Sequence, residues 1–478
     1  MVNRRPWLHL TAVLVALLLA ISAAACGSSS NADPDGPDGT GPTGTDPPKP
    51  CPVDALDTTG DTVPDVAITA WAPFTGDAMV AFQQLVSSYN ASGHGVQVTV
   101  QPISTEPVAQ RALYNQAAAA DALPALTAVD SSLTQYIVDR ARVVDASTCM
   151  KAAGKDGNGE LPVARSAYTV GGKQWAASAN LVTPLLYFRR GAFLAAGLDP
   201  DKPPVTLDQI HDAAKAMQAK GAATKPLALR LDSPLIENWL TGAGVSIVNH
   251  GNGRDQRADA GDMSGPKATQ LFEWIQTMTA DGLLELIPPS ADGSDPAPAT
   301  TLQTAAMTIA PSTAISDFAP TAIGAAPDLD VAALPGIDSA GHGQVGGVAW
   351  YLTKDLPPEQ IAAAWDFVQF LNSVPSQVTW NLVGGYPPYN PRAVDDPGLV
   401  DAWSASRRGP WLDTAYTQVT NLDPAGPGPL IGPYPKARTA IELAVQQVIG
   451  GAQPPAAAVT TADDAITEAL HGYDPSDP

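Results

Sequence analysis

The chain has 478 residues, a formal net charge of −22 and 45% hydrophobic residues. A chain of this length exceeds what one compact core accommodates, so we expect two lobes or domains. A surface with this charge repels nucleic acid and anionic lipid, which argues against nucleic-acid binding.

The first 25 residues have the three-part layout of a secretory signal. Arg4 and Arg5 precede an apolar run over residues 8–21, and small residues follow it up to Cys26. The run is shorter than the roughly 20 apolar residues that a bilayer-spanning helix needs. The small residues before Cys26 resemble a bacterial lipobox, in which the cysteine is lipidated, and ordinary cleavage after an Ala-x-Ala sequence is the alternative. Loss of the two arginines takes the charge of the mature chain from −22 to −24.

Residues 26–64 are predicted to form a flexible tether rich in Gly, Pro and Asp, with too little apolar surface to offset the entropy of ordering. We expect Cys51 and Cys149 to form a disulfide in an exported protein, and two free thiols are the alternative. The six histidines are scattered and none lies at metal-ligand spacing. We therefore expect neither a metal nor a cofactor.

Strands and helices alternate at the start of the folded part. The predicted elements, in chain order, are a strand at 66–71, a helix at 77–90, a strand at 95–103, a helix at 107–120, a strand at 124–130 and a helix at 132–143. This alternation predicts an α/β fold on a mostly parallel sheet.

The rest of the chain continues with mixed elements. A Gly-Gly turn at 171–172 is predicted to separate two strands. Further helices are predicted at 207–220, 268–282 and 358–372, further strands at 305–310 and 346–353, and a pair of helices at 436–470. The Pro-rich region 384–435 is predicted to be mostly loop.

Six stretches, taken in this order, carry a family resemblance. They are VAITAW with its following helix, GGKQW, LLYFRRGAFLAAGLDPDKPPVTLDQIHDAAKAM, LQTAAMTIAPSTAI, LPGIDSAGHGQVGGVAWYLT and WDFVQFLNSVPSQVTWNLVGGYPPYNPRAV. Together they resemble the extracellular solute-binding proteins of the maltose-binding type, over nearly the whole mature chain. Three places depart from the family pattern, and they bear on the ligand more than on the fold: Phe188-Arg189 replace Tyr-Asn, Gln209 replaces Glu, and Ala176-Ala177 replace the Gly and Pro region.

The resemblance implies a two-lobe periplasmic-binding-protein fold of type II, in which both α/β lobes are built from discontinuous chain. The implied N-terminal lobe comprises 65–177 and 311–366, and the implied C-terminal lobe comprises 178–310 and 367–478. A ligand would lie in the cleft between the lobes, and closure would create the state that an ABC permease recognises. The implied activity is binding and not catalysis, by a monomer anchored through lipid at the outer face of the cytoplasmic membrane.

Candidate ligand-binding residues are aromatic and polar side chains near strand ends and lobe crossings, because a polyhydroxylated solute needs aromatic faces and directional polar groups. They are Trp71, Thr75, Asp77, Asp130, Ser131, Asn180, Trp239, Ser312, Thr313, Gly347, Trp350, Tyr386 and Arg392. For several of them a structural role is the alternative: core packing for Trp71 and Trp239, helix capping for Asp77 and Asp130, and a salt bridge for Arg392.

These expectations favour a lipid-anchored receptor that captures a sugar, an oligosaccharide or a related polyol or glycerophosphodiester for an ABC importer. A secreted carbohydrate-active hydrolase is the alternative from another class, and it would need two carboxylates facing each other across a glycosidic bond. A surface adhesin or sensory receptor on the same fold is the third. Few basic residues lie near the implied cleft, which favours a neutral sugar over a phosphate-bearing ligand.

Overall fold

A computed structural model describes residues 49–57, 65–155, 159–288, 301–316 and 328–476. The secretory signal, Cys26 and most of the tether lie outside the described residues. Within the described ranges, no helix is long and apolar enough to cross a membrane.

The strands are short and spread over the whole described chain. They are β1 (Val66–Ala72), β2 (Val96–Pro102), β3 (Leu126–Asp130), β4 (Val143–Val144), β5 (Thr169–Val170), β6 (Lys173–Gln174), β7 (Ala177–Ser178), β8 (Pro184–Arg189), β9 (Lys225–Leu229), β10 (Leu284–Leu286), β11 (Ala305–Pro311), β12 (Leu329–Ala333) and β13 (Val348–Thr353).

The helices lie between these strands and follow the last of them. They are α1 (Gly76–Asn90), α2 (Pro107–Ala119), α3 (Thr134–Asp139), α4 (Ala146–Ala152), α5 (Pro162–Ala167), α6 (Arg190–Ala196), α7 (Leu207–Ala219), α8 (Ser233–Gly242), α9 (Asn249–Gly253), α10 (Pro266–Ala280), α11 (Pro358–Leu371), α12 (Val374–Gly384), α13 (Pro397–Ala405), α14 (Gly409–Thr420), α15 (Tyr434–Ile449) and α16 (Pro455–His471).

The first sheet has the strand order β2, β1, β3, β13 and β4, and β7 also pairs with β13. Strand β1 runs parallel to both β2 and β3. Strand β13 returns antiparallel to β3, with Val348 opposite Asp130. The carboxyl ends of β1 and β3 therefore meet at one edge of the sheet, which is where ligands lie in open α/β sheets.

The second sheet has the strand order β10, β9, β11, β8 and β12. Strands β10, β9 and β11 are parallel, and β8 is antiparallel to both of its neighbours. Strands β5 and β6 form a separate hairpin. Its turn is the predicted Gly171-Gly172 pair, in which both residues have a positive φ that glycine adopts without steric cost.

Each sheet packs against helices whose apolar faces form its core. In α1, Phe82, Leu85 and Tyr89 are buried at helical spacing, and Phe82 stacks on Trp350 of β13 with ring centroids 5.4 Å apart. A second core lies around the second sheet. We call the first sheet with its core the first lobe, and the second sheet with its core the second lobe. The predicted two-lobe α/β fold is thus confirmed.

Two segments lie in the opposite lobe from the one implied for their ranges. Strand β12, within 311–366, pairs with β8 of the second sheet, so that Val331 lies opposite Tyr187. Helix α12, within 367–478, packs against α1 of the first lobe, where Trp380 contacts Phe74 edge-to-face at 5.1 Å. Both placements depend on partners that are distant in sequence, and sequence order alone does not specify them.

The last part of the predicted tether belongs to the first lobe. Cys51 is 1% exposed and is disulfide-bonded to Cys149 of α4. A 3₁₀ helix, Val53–Leu56, follows it and packs against α11. Burial and the disulfide together offset the entropy of ordering this segment, so the flexible-tether prediction does not extend to residues 51–56.

The Pro-rich region 384–435 contains two helices, so the prediction that it is mostly loop was wrong for α13 and α14. Pro397 and Pro410 lie in the first turns of these helices. A proline in the first turn removes an N–H that has no partner within the helix, so it favours a helix start.

Candidate functional site

A buried carboxylate, Glu237 of α8, lies at the centre of polar contacts between the lobes. The Ser233 hydroxyl donates to its Oε1 at 2.8 Å. The Tyr434 hydroxyl and the Gln344 side-chain amide each donate to its Oε2 at 2.9 Å. Arg438 donates from Nε to Oε1 at 3.1 Å. We call Asp130, Ser233, Glu237, Gln344, Tyr434 and Arg438 the central network.

Arg438 carries the central network across to the first lobe. One of its terminal nitrogens, NH1, lies 3.6 Å from Oδ1 of Asp130, at the carboxyl end of β3. The side chains of Arg438 and Asp130 are 19% and 25% exposed, whereas that of Glu237 is 0% exposed. Solvent, or a solute in its place, therefore reaches Asp130 and Arg438 but not Glu237.

In the central network, Glu237 and Arg438 each favour the ionised form of the other. Burial acts to raise the pKa of Glu237, but Arg438 and the hydrogen bonds from Ser233 and Tyr434 hold that pKa below its ordinary value. Burial acts to lower the pKa of Arg438, but Glu237 and Asp130 raise it above its ordinary value. Glu237 and Arg438 therefore both stay ionised at neutral pH.

Helical spacing brings these side chains together. Ser233 and Glu237 are four residues apart on α8, whose first turn is capped by Asp232, which accepts from the Leu235 N–H at 3.1 Å. Tyr434 and Arg438 are four residues apart on α15, and the Arg438 guanidinium lies 4.7 Å from the Tyr434 ring centroid. Both helices thus present preformed polar faces.

A crossing between the lobes lies where Asn180 meets Gly347. The Asn180 Oδ1 accepts from the Val348 N–H at 2.9 Å. Gly347 has φ +126°, and a Cβ there would lie 2.6 Å from the Asn180 carbonyl oxygen, so this crossing requires glycine. Tyr386 is hydrogen-bonded to Asn180, and burial raises the pKa of Tyr386 to about 12.

The start of α1 forms an exposed edge of the first lobe. Thr75 and Asp77 are exposed there, and the Thr75 side chain makes no capping hydrogen bond. Arg408, which directly precedes α14, is close enough for the charge of Asp77 to raise its pKa, although burial lowers the pKa overall. Within the described part of the chain, the buried Nε and NH2 atoms of Arg408 have no hydrogen-bond partner.

A family model described as bacterial extracellular solute-binding protein matches residues 84–406. This match spans more than half of the chain and includes most of both lobes.

The chain belongs to this family.

Curated relatives and solved structures agree with this membership. The sn-glycerol-3-phosphate-binding periplasmic protein UgpB of Escherichia coli K12 is 23% identical over 305 residues, which cover 62% of this chain and 67% of the relative. The cyclic α-maltosyl-1,6-maltose binding protein of Arthrobacter globiformis superposes with a TM-score of 0.70 at 18% identity, covering 85% of this chain and 100% of that one. UgpB of Mycobacterium tuberculosis, in complex with glycerophosphocholine, superposes with a TM-score of 0.70 at 15% identity, covering 85% and 98%.

Three tryptophans predicted for the ligand site of this solute-binding protein lie in the lobe cores. Trp71 is 6% exposed in the first core. Trp239 is 1% exposed, and its indole N–H donates to the Pro335 carbonyl at 2.9 Å. Trp350 is fully buried against Phe82. These placements favour core packing, which was the alternative for Trp71 and Trp239.

The remaining predicted residues divide between the lobe crossings and the surface. The Ser131 N–H donates to the Gly347 carbonyl at 2.9 Å, and the Ser312 N–H donates to the Thr183 carbonyl at 2.8 Å. Thr313 is half-buried beside Ser312, and its carbonyl accepts from the Ser316 hydroxyl. Arg392 is exposed and lies outside the central network.

Asp130 is the only predicted ligand residue that lies in the central network, where it also caps the turn after β3 by accepting from the Ser132 N–H at 2.9 Å. Sequence reasoning missed Ser233, Glu237, Gln344, Tyr434 and Arg438. One signal was available: Ser233 and Glu237 recur at helical spacing on the face of α8 that also carries apolar residues, which marks a carboxylate pointing inward. Among the described residues, no group of His, Cys, Asp or Glu side chains is arranged to hold a metal ion.

Proposed function

We propose that this protein is the substrate-binding component of an ABC importer and that it captures a sugar, an oligosaccharide or a related polyol or glycerophosphodiester between its lobes. The observation that carries the proposal is the central network, in which a charged pair, Asp130 and Arg438, spans the lobes and stays partly exposed. The relatives named for glycerol 3-phosphate, maltosyl sugars and glycerophosphocholine support the ligand class.

The geometry suits hydroxyl recognition. A solute hydroxyl can donate to Asp130 and accept from Arg438 at once, because their atoms are 3.6 Å apart and no hydrogen bond between them is formed. Glu237 holds the Arg438 guanidinium in place from behind, so that little side-chain entropy is lost on binding. A solute contacting both residues would favour the closed arrangement of the lobes.

The same network argues against a glycosidase. A glycosidase needs one protonated carboxyl as an acid and a second carboxylate on the other side of the bond. Glu237 is fully buried and accepts hydrogen bonds from four side chains, and its pKa lies below the ordinary value. It is therefore neither accessible nor protonated at neutral pH. The remaining carboxylate of the network, Asp130, has no second acid opposite it within the network.

Anchoring completes the proposal. We infer that lipid at Cys26 holds a monomer at the outer face of the cytoplasmic membrane, where it delivers the solute to a permease. The lipobox-like residues before Cys26 support this inference. Metabolic labelling with a fatty acid tests it: the wild-type chain should incorporate label and fractionate with membranes, whereas Cys26→Ala should not be labelled. Equal labelling of both chains would contradict lipidation at Cys26.

Thermal unfolding of the mature chain carrying Cys26→Ala tests solute binding. A panel of sugars, oligosaccharides, polyols and glycerophosphodiesters at millimolar concentration should include a compound that raises the midpoint, because it binds only the folded state. The shift should disappear in Arg438→Gln and persist in Arg392→Gln, which removes the same charge at an exposed position. A shift retained by Arg438→Gln would contradict the assignment of the central network, and solute hydrolysis in the same wells would contradict a transport role.

A further inference from the structure

A second cavity, of about 900 Å³, opens between the lobes away from the central network. Its first-lobe wall consists of α4, α5 and the β5–β6 hairpin. Its second-lobe wall consists of Arg254 and residues 424–427. None of the residues of the central network lines it. We call this cavity the basic cavity.

The basic cavity concentrates positive charge on an acidic protein. Lys151, Lys155, Arg165 and Arg254 line it, and none of the sixteen described lining residues is acidic. The whole chain carries 48 acidic residues against 26 lysines and arginines. The described lining of the cavity is therefore positive, whereas the chain as a whole is negative. A concave wall focuses the field of these cations on a ligand in the cavity.

Arg254 is the most enclosed of the four cations. Its Nε donates to the Gly428 carbonyl at 2.7 Å, and its terminal nitrogens donate to the carbonyls of Ser166 at 3.0 Å and Pro427 at 3.3 Å. Those carbonyls fix the guanidinium but do not neutralise it. Burial lowers the pKa of Arg254 to about 10, which reflects a desolvated cation without a carboxylate beside it among the described residues.

The other cations are also left uncompensated. Lys155 donates to the neutral Gln369 side chain at 2.6 Å. Lys151 and the half-buried Arg165 have no ion pair among the residues that the structure describes. Several other described arginines do have one, for example Arg190 with Asp330 at 2.9 Å.

The basic cavity and the central network meet back to back at one glycine. The Gly428 carbonyl accepts from Arg254 on the cavity side. On the other side a Cβ at Gly428 would lie 2.1 Å from Oε1 of Gln344, which belongs to the central network. The segment around Gly428 is thus the wall between the two sites, and they are separate in space.

We propose that the basic cavity is a binding site for a small oxyanion, through phosphate or carboxylate groups, that is separate from the solute site. Arg165 and Arg254 supply the planar donors that match two oxygens of such a group, and Lys151 and Lys155 add charge at the rim. The volume exceeds what one phosphate needs, so the cavity has room for an anion with more than one charged group. Because the walls come from both lobes, the bound anion holds them together.

Isothermal titration calorimetry on the mature chain with Cys26→Ala tests this proposal independently of any sugar. The probes are sodium pyrophosphate and sodium citrate, with sodium chloride at matched ionic strength as the blank. We expect saturable heat with one of the first two, and the probe that binds distinguishes phosphate from carboxylate recognition. Arg165→Gln and Lys151→Gln should each weaken binding about tenfold, which is the scale of one charge-assisted hydrogen bond.

One control variant distinguishes anion binding in the basic cavity from anion binding elsewhere on the protein. Lys225→Gln removes one exposed cation at the start of β9, outside the cavity, and should leave the affinity within about twofold. The proposal is overturned if neither probe binds, or if Lys225→Gln weakens binding as much as Arg165→Gln does.

Discussion

The central network and the basic cavity both lie between the lobes, and both contain an enclosed arginine, yet they handle its charge in opposite ways. Arg438 faces two carboxylates, Glu237 and Asp130. The hydrogen bonds of Arg254 go to backbone carbonyls. A compensated buried charge organises a site within the protein, whereas an uncompensated one leaves a field that a mobile counter-ion can satisfy. The two sites should therefore respond differently to mutation.

The largest effect is expected from Glu237→Ala. Loss of the carboxylate leaves Arg438 enclosed without its main partner, and breaking a buried ion pair from one side costs about 3–5 kcal/mol of unfolding free energy. Chemical denaturation monitored by tryptophan fluorescence measures the loss. Glu237→Gln, which keeps the shape and some hydrogen bonds, should lose less. A loss below about 1 kcal/mol in Glu237→Ala would show that Glu237 does not stabilise the charge of Arg438 as a buried ion pair.

The next effect concerns pH and Asp232, which caps the helix that carries Glu237. Burial, with a smaller contribution from Glu442, raises the pKa of Asp232 to about 6 against the lowering effects of the Leu235 N–H hydrogen bond, Arg230 and Arg438. Between the unfolded value of 3.8 and about 6 the folded state holds a proton that the unfolded state has released, so stability falls as pH rises through this range.

Denaturation at pH 4 and pH 6.5 measures this fall. At about 1.4 kcal/mol for each pKa unit, the contribution of Asp232 is at most about 3 kcal/mol. Asp232→Asn keeps a capping side chain and should flatten this part of the pH profile. An unchanged profile in Asp232→Asn would assign the pH dependence to other groups.

A smaller effect is expected from Arg254→Lys. Lysine keeps the positive charge but lacks the planar fork that reaches three carbonyls, so we expect a loss of about 1–2 kcal/mol in unfolding free energy. Thermal and chemical unfolding give the value. Arg257→Lys is a suitable control, because Arg257 is an exposed arginine nearby that pairs with Asp139. An equal loss in both variants would indicate that the carbonyl contacts of Arg254 have no special role.

The smallest effect is expected from Arg165→Gln without any added anion. Arg165 makes no ion pair among the described residues, so its removal should change the unfolding free energy by less than about 0.5 kcal/mol. A loss above about 1 kcal/mol would mean that Arg165 is structural, and the contrast between the two sites would weaken.

Much of the fold could be predicted because it rests on local patterns. The alternation that ends in β3 gave the α/β class, and α1 packs through the apolar residues expected of it. The helices α13 and α14 were missed because proline was treated as a breaker and not as a first-turn residue. The sheet in which β12 lies depends on its pairing with β8, a contact that no local pattern encodes.

The site was harder to predict than the fold because it depends on where faces meet. Trp239 was chosen as an aromatic side chain near glycines, but the helix points it into the core and turns Glu237 toward Arg438. Arg438 lies 201 residues further along the chain than Glu237. Only the fold brings such residues together, and a single sequence has no pattern that indicates a contact between residues so far apart.

The disulfide decides how tension would enter the molecule. For a chain held at Cys26, a pull arriving at Cys51 passes directly into α4 through Cys149, 98 residues further along, and bypasses the peptide between Cys51 and β1. The load therefore reaches the first lobe directly, and it reaches the second lobe through the crossings and through contacts between the lobes such as Arg438 with Asp130 and Arg254 with Ser166.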